Sequence, residues 1–318
     1  MIRRPRLSRY VIAGALLAAA APPAAGQRGR EEYESRIDTT IAFSRTGTVE
    51  LQAHGGDIIV SGWNRDQVRI RATSERSALR LDASSSLVSL GLRSGASRSG
   101  DTRFEVTVPV GARVRANSTS GDIRIGGSRG EVEARTQRGD IVVEEASRVE
   151  ITAFSGDVEA TAVAGDLRIN ALNGDIRVRG VTGEVEVKTV SGEIAVRDAR
   201  SKLVRLNSTS GDITFDGTID AAGRYELQTH SGDVDLTLPA NVGARLTVAT
   251  FSGGVESDFP MVLEPTGQGE EGTHGRRFTF KLGSGGGGRI TAESFSGDIN
   301  IRNRGSPPRG PGGGEGER

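Results

Sequence analysis

Apolar and polar positions alternate with period two over most of the chain. Val114/Ala116, Ile123/Ile125, Val132/Ala134 and Ile141/Val143 are early examples, and charged residues such as Arg124 and Glu133 fill the positions between. Later pairs include Ile176/Val178, Val185/Val187, Ile194/Val196 and Ile213/Phe215. Period two predicts strands with one buried and one wet face. No amphipathic helical period follows the N-terminal segment.

Gly-Asp or Gly-Glu steps punctuate the alternation. Their glycines fall at 56, 121, 130, 139, 156, 165, 174, 183, 192, 211, 232 and 297, with Gly253-Gly254 a degenerate member. Between 121 and 192 the steps are 9, 9, 17, 9, 9, 9 and 9, and they then lengthen to 19, 21 and 21. The unit is therefore two strands in about 18 residues. One such pair cannot bury an apolar face. Stacked units can, each strand pairing in parallel with its equivalent one unit later. The expected fold class is all-β, a parallel β-solenoid of about 18–21-residue coils with two short strands each. Roughly ten coils at about 4.8 Å per strand predict a rod of about 45–50 Å.

The corners follow from the same register. Gly121-Asp122, Gly139-Asp140, Gly156-Asp157, Gly174-Asp175, Gly192-Glu193, Gly211-Asp212, Gly232-Asp233 and Gly297-Asp298 read as structural turn residues. Glycine supplies backbone freedom, and the acid is expected to cap local N–H groups as in an Asx turn. Three residues before each glycine stands a small residue, among them Ala53, Ser118, Thr136, Ala153, Thr189 and Ser294. That predicts a tight inward slot, with stacked hydroxyls bonding one another between coils.

The ends depart from the repeat. Residues 1–26 read as a secretory signal, with Arg3, Arg4, Arg6 and Arg9 before the apolar Val11–Ala20 and small residues ahead of Gln27. An uncleaved anchor is the alternative, although the apolar run is short for a bilayer span. Residues 27–113 read as an N-terminal β region that caps the stack and holds one repeat-like turn, "LQAHGGDIIV". Gln67–Ala72, Leu79–Ala83 and Phe104–Val110 read there as ordinary strands. The repeat domain is 114–302, with a polar loop excursion over 260–277 and a last coil at Thr291–Ile301. Residues 303–318, rich in Gly and Pro, read as a disordered tail.

Composition narrows the function. Gly reaches 45 of 318 residues and aromatics only 4%, which suits thin coils with tight turns. Lys+Arg and Asp+Glu balance at 41 each, so no basic field favours nucleic acid. Removing residues 1–26 takes four Arg and no acid, leaving 37 against 41 and a net charge of −4. Cysteine is absent, which excludes disulfides and thiolate metal sites. No later stretch reads as a transmembrane helix, and no cofactor is implied.

The acid row Asp57, Asp122, Asp140, Asp157, Asp175, Glu193, Asp212, Asp233 and Asp298 admits two readings. Turn capping is favoured over calcium, because each unit lacks the further oxygen ligands that calcium needs. Arg138-Gly139-Asp140 spells a receptor-type tripeptide but sits in repeat register. A second row lies two residues before each glycine, and alternation points it outward. Phe154, Leu172, Val190, Phe251 and Phe295 on that row form a candidate binding stripe. The alternative is that another segment, such as the 260–277 excursion, covers it. His54, His230 and His274 are the only histidines, and no phosphate loop or catalytic motif appears.

Three stretches, "GGDIIVSGWNRDQVRI", "FEVTVPVGARVRANSTSGDIRI" and "GSGGGGRITAESFSGDINI", appear in this order. In this the chain resembles a bacterial domain-of-unknown-function family of exported β-strand repeat proteins with Ser-Gly-Asp-Ile turns, labelled candidate adhesins. The resemblance covers roughly Ile37–Arg302 and carries no catalytic residue set. The expectation is a non-enzymatic exported protein of the cell envelope or surface that binds a polymer or protein there. The alternatives are a periplasmic structural or regulatory scaffold and, less favoured, a polysaccharide-processing enzyme. The partner, the final compartment and the oligomeric state are left open.

Overall fold

In the computed structural model, residues 35–93, 101–263, 276–283 and 286–305 are described. The expected signal segment, the centre of the 260–277 excursion and the expected tail beyond Gly305 lie outside them. Among the described residues the chain is all-β. It forms two sheets of 13 and 14 strands, here sheet I and sheet II. Together they make a parallel β-solenoid.

Each coil places one strand in each sheet. Sheet II takes the strand before the Gly-Asp corner, such as Glu131–Thr136, Arg148–Ser155, Leu167–Asn173 and Val185–Ser191. Sheet I takes the strand after it, such as Ile141–Ala146, Val158–Val163, Ile176–Val181 and Ile194–Ala199. Pairing is in register, so like meets like. Ile123, Ile141, Val158, Ile176, Ile194, Ile213 and Val234 form one continuous apolar row. All seven are essentially buried. Each such side chain contributes about 1.5–3 kcal/mol of burial, and stacking spreads that gain along the whole rod.

The core widens where the coils lengthen. Phe215 and Tyr225 both lie in the 21-residue unit between Gly211 and Gly232 and pack at 5.7 Å and 58°. Tyr225 donates its hydroxyl hydrogen to the Ser201 carbonyl at 2.7 Å and accepts the Asp220 N–H at 2.8 Å. It thereby pins the extra corner residues Thr218–Gly223. Burial pushes its phenol above the usual tyrosine value.

Spatial order departs from chain order at both ends. Leu87–Leu92 and Thr102–Pro109 pair in parallel with Thr48–Ala53 and Asp57–Trp63. They form a coil outside the one that precedes them in sequence, and Leu87–Leu92 is a strand beyond those expected. Beyond it, Gln67–Ser74 and Ser35–Ala42 extend sheet I antiparallel, and Leu79–Ala83 extends sheet II. At the far end, the coil Gly288–Asn303 is not terminal in space. Its strands lie between Arg224–Leu238 and Ala244–Ser257. The described ends of the 260–277 excursion are strands, Met261–Leu263 and Arg276–Leu282; the second pairs antiparallel with both the first and Ala244–Ser252. Counting these displaced members, each sheet contains eleven parallel strands, one per coil.

Candidate functional site

The Gly-Asp corner has two structural demands. Gly121, Gly139, Gly156, Gly174, Gly192, Gly211, Gly232 and Gly297 have φ between 123° and 152°. A Cβ on Gly174 would also lie 2.1 Å from the carbonyl oxygen of Gly156, and one on Gly192 would lie 2.1 Å from that of Gly174. The corners are stacked backbone on backbone.

The acids bond across coils rather than within their own turn. Asp122 Oδ1 accepts the Asp140 N–H at 3.0 Å, Asp140 accepts that of Asp157 at 2.9 Å, and Asp157 accepts that of Asp175 at 3.0 Å. Asp175 accepts the Glu193 N–H at 3.1 Å. Asp212 serves Asp233, Asp233 serves Asp298, and Asp298 serves Gly254, at 2.8, 2.7 and 2.7 Å. In place of the expected Asx cap the acids form a ladder along the rod. Among the described residues the step from Glu193 to Asp212 is missing. The glutamate's extra methylene carries its oxygens past the amide. Second oxygens pair with arginine, as in Arg124–Asp122 at 2.8 Å and Arg177–Asp175 at 2.9 Å. The Asp157 hydrogen bond, with Asp175 nearby, raises the Arg177 guanidinium further above its usual value.

The small residues before the corner are buried or half-buried, but their hydroxyls do not bond one another. Thr136 donates to the Arg138 carbonyl, Thr229 to Gly211 and Ser294 to Gly232, at 3.1, 3.0 and 2.9 Å. Ser118 and Ser208 Oγ have no hydrogen-bond partner.

The other corner differs. Gly130, Gly165 and Gly183 are not the residues with positive φ. The left-handed residues there are Gly127, Arg129, Glu145, Ala162, Gly180 and Asp198, at φ of 48–68°. The two nine-residue halves are therefore not equivalent. Only Gly127 and Gly180 signal this in the sequence.

The outward row lies on sheet II in the spatial order His54, Thr119, Gln137, Phe154, Leu172, Val190, Thr209, His230, Phe295, Phe251. Phe154 is 59% exposed and Phe251 61%; Val190 and Phe295 are exposed, and Leu172 is half-buried. Two open clefts run beside the row, floored by the small residues. One, of about 760 Å³, lies between Gln52 and Leu172 and includes Phe154. The other, of about 600 Å³, lies between Asn207 and Phe251. His230 stacks on Phe295 and Phe295 on Phe251, each at 4.8 Å, with interplanar angles of 14° and 3°. Arg277, from the cap strand, reaches Glu293 at 2.5 Å at the edge of this second cleft. It is the only described residue of the 260–277 excursion that lines either cleft.

Charges beside the clefts are paired. Arg135 meets Glu133 at 2.5 Å and Lys188 meets Glu186 at 2.6 Å. Lys188, with Arg168 at 3.0 Å, holds the Glu186 carboxyl below its usual range. Arg138 and Asp140 of the tripeptide are exposed, and Asp140 is engaged in the ladder. His54 and His230 stand on the same outward row near opposite ends of the stack, and His274 lies outside the described residues.

A family model described as Toastrack DUF4097 matches residues 35–302. Among solved structures, the chain is similar to a candidate adhesin from Bacteroides fragilis at 11% identity, covering 84% of this chain and 96% of that one, with a TM-score of 0.39. A candidate adhesin from Parabacteroides merdae aligns at 9% identity, over 85% and 96% of the two chains, with a TM-score of 0.26. A candidate cell adhesion protein from Clostridium sporogenes aligns at 12% identity, over 85% and 100%, with a TM-score of 0.23. No curated protein matches the chain.

Proposed function

The chain belongs to the Toastrack family, and from that premise we propose that it is a non-enzymatic interaction module, exported to the cell envelope or surface. It binds its partner along the outward row of sheet II. The observation that carries this reading is the pair of clefts on one face, edged by exposed Phe154, Phe251 and Phe295, with exposed Val190 on the same row between them. Sheet spacing repeats the same outward position about every 4.8 Å, so weak contacts to an extended partner add up along the rod. The N-terminal segment 1–26, with its arginines and short apolar run, supports export. The corner acids and glycines are committed to stacking, which leaves the outward row as the variable surface.

The test is binding of the labelled protein to intact cells and to isolated envelope. Replacing Phe154, Leu172 and Val190 together with Ser is expected to abolish retention while the melting temperature stays within a few degrees. Retention unchanged in the triple variant would refute the site. Loss of the fold would show instead that the row is needed for stability.

A further inference from the structure

Among the described residues the two sheets have four edge strands, and three are short. Val255–Ser257 in sheet I has three residues, and Met261–Leu263 and Leu79–Ala83 in sheet II have three and five. The fourth, Ser35–Ala42, is eight residues long and pairs on one side only, with Gln67–Ser74. It is rich in β-branched residues and has none of the lysine, proline or bulge that blunts an edge. It also overhangs. Sheet I carries three strands beyond Asp57–Trp63, whereas sheet II carries two beyond Thr48–Ala53. We propose that this edge joins a second copy of the chain, the two Ser35–Ala42 strands pairing antiparallel about a twofold axis.

An edge of unpaired N–H and C=O groups takes another strand. The pattern along this one fits its own copy. Ser35, Ile37, Thr39 and Ile41 are half-buried on the core side, while Arg36, Asp38, Thr40 and Ala42 are exposed. Opposed residues share a face of the sheet, so a twofold pairing sets odd numbers against odd and even against even. Two such registers pair seven residues. One is centred on Asp38 and sets that carboxylate against its own copy. The other is centred on Thr39. It sets Ile37 against Ile41 of the second copy, Asp38 against Thr40 of the second copy, and no like charges against each other. Ile37 and Ile41 already pack against the core, in line with Ala72 and Val68, so the joint prolongs an existing apolar row. The pairing closes, because it consumes the one long edge of each copy. A twofold axis perpendicular to sheet I leaves sheet II of both copies facing the same way, so the outward rows add along a doubled rod. The joint itself does not depend on what those rows bind.

Sedimentation equilibrium of the purified protein, from micromolar to millimolar concentration, is expected to show monomer and dimer and nothing larger. Thr40 is exposed, so its variants leave the monomer's core untouched. Thr40→Asp brings carboxylates together at both Asp38 contacts of the joint and should weaken the dimer at least tenfold. Thr40→Lys places a cation beside each Asp38 and should tighten the dimer at least threefold, a gain that misfolding cannot mimic. The chain has no cysteine, so single cysteines report the register. Thr39→Cys should give a disulfide-linked dimer on mild oxidation, whereas Arg36→Cys, about 20 Å from its copy in this register, should not. A chain that stays monomeric at every concentration overturns the proposal. So does a dimer indifferent to both Thr40 variants, or one that crosslinks through Arg36→Cys and not through Thr39→Cys.

Discussion

Glu193→Asp is expected to stabilise the protein, although it shortens a side chain. The aspartates at the neighbouring corners each hold the next coil's N–H at 2.7–3.1 Å. Glu193 receives no such bond from Asp212, so one step of the ladder is open. Restoring it adds one hydrogen bond from a backbone amide to an ionised oxygen. Such a bond contributes up to about 1.5–3 kcal/mol, and solvent at this exposed corner reduces that to about 0.5–1 kcal/mol. The converse change, Asp157→Ala, removes the acceptor for the Asp175 N–H at 3.0 Å and the Arg177 contact at 3.3 Å. It should cost about 1 kcal/mol, and Asp157→Asn, which keeps a neutral acceptor, about half. Equilibrium urea unfolding measures all three, with the m-value unchanged if only the ladder is altered. The expected ranking is Glu193→Asp above wild type, then Asp157→Asn, then Asp157→Ala. A loss of stability in Glu193→Asp, or no cost in Asp157→Ala, would refute the ladder as a stabilising device.

Four further substitutions test the corners and the core. Gly174→Ala combines strain at φ 123° with a 2.1 Å approach to a backbone oxygen, and should cost about 3–5 kcal/mol. Gly126→Ala, whose Cβ would find only a flexible carboxylate at 3.8 Å, should change the unfolding free energy by less than about 0.5 kcal/mol. Ala162→Gly relieves a left-handed alanine at φ 56° and should gain up to about 1 kcal/mol in the same assay. Tyr225→Phe leaves the Ser201 carbonyl and Asp220 N–H without their shared partner, costing about 1–3 kcal/mol near neutrality. The raised phenol adds a pH signature. Its stabilising contribution is complete below the unfolded value of about 10 and is lost as pH rises through the higher folded value, so wild type should weaken there and the Phe variant should lack that loss.

Much of the coil was legible because its signals are local. Ile123/Ile125 and Ile141/Val143 alternate within four residues of a Gly-Asp step, and that is enough to place two strands and a corner. What escaped was long-range or conformational. Every coil has similar edges, so nothing in "TAESFSGDINI" says that it docks between 224–238 and 244–257 rather than after them. The αL corner at Ala162 and Glu145 uses residues that do not advertise positive φ. The direction of the Asp157 hydrogen bond depends on the distance between coils, which no spacing within one coil reports. The outward row was readable as a row. Its closing stack of His230, Phe295 and Phe251 depends on which coil neighbours which.

The interleaved C-terminal coil has a consequence for how the chain is made. A stack that adds coils in chain order can grow as the polypeptide emerges, each new turn docking on a finished one. Here 244–257 finds no surface in its final place until 288–303 has arrived, because the later strands form the layer between it and 224–238. Completion therefore waits for almost the last described residue. A chain cut short before Gly288 retains a vacant layer and an undocked turn, so arrest of synthesis there leaves a product distinguishable from the finished molecule by its loose end.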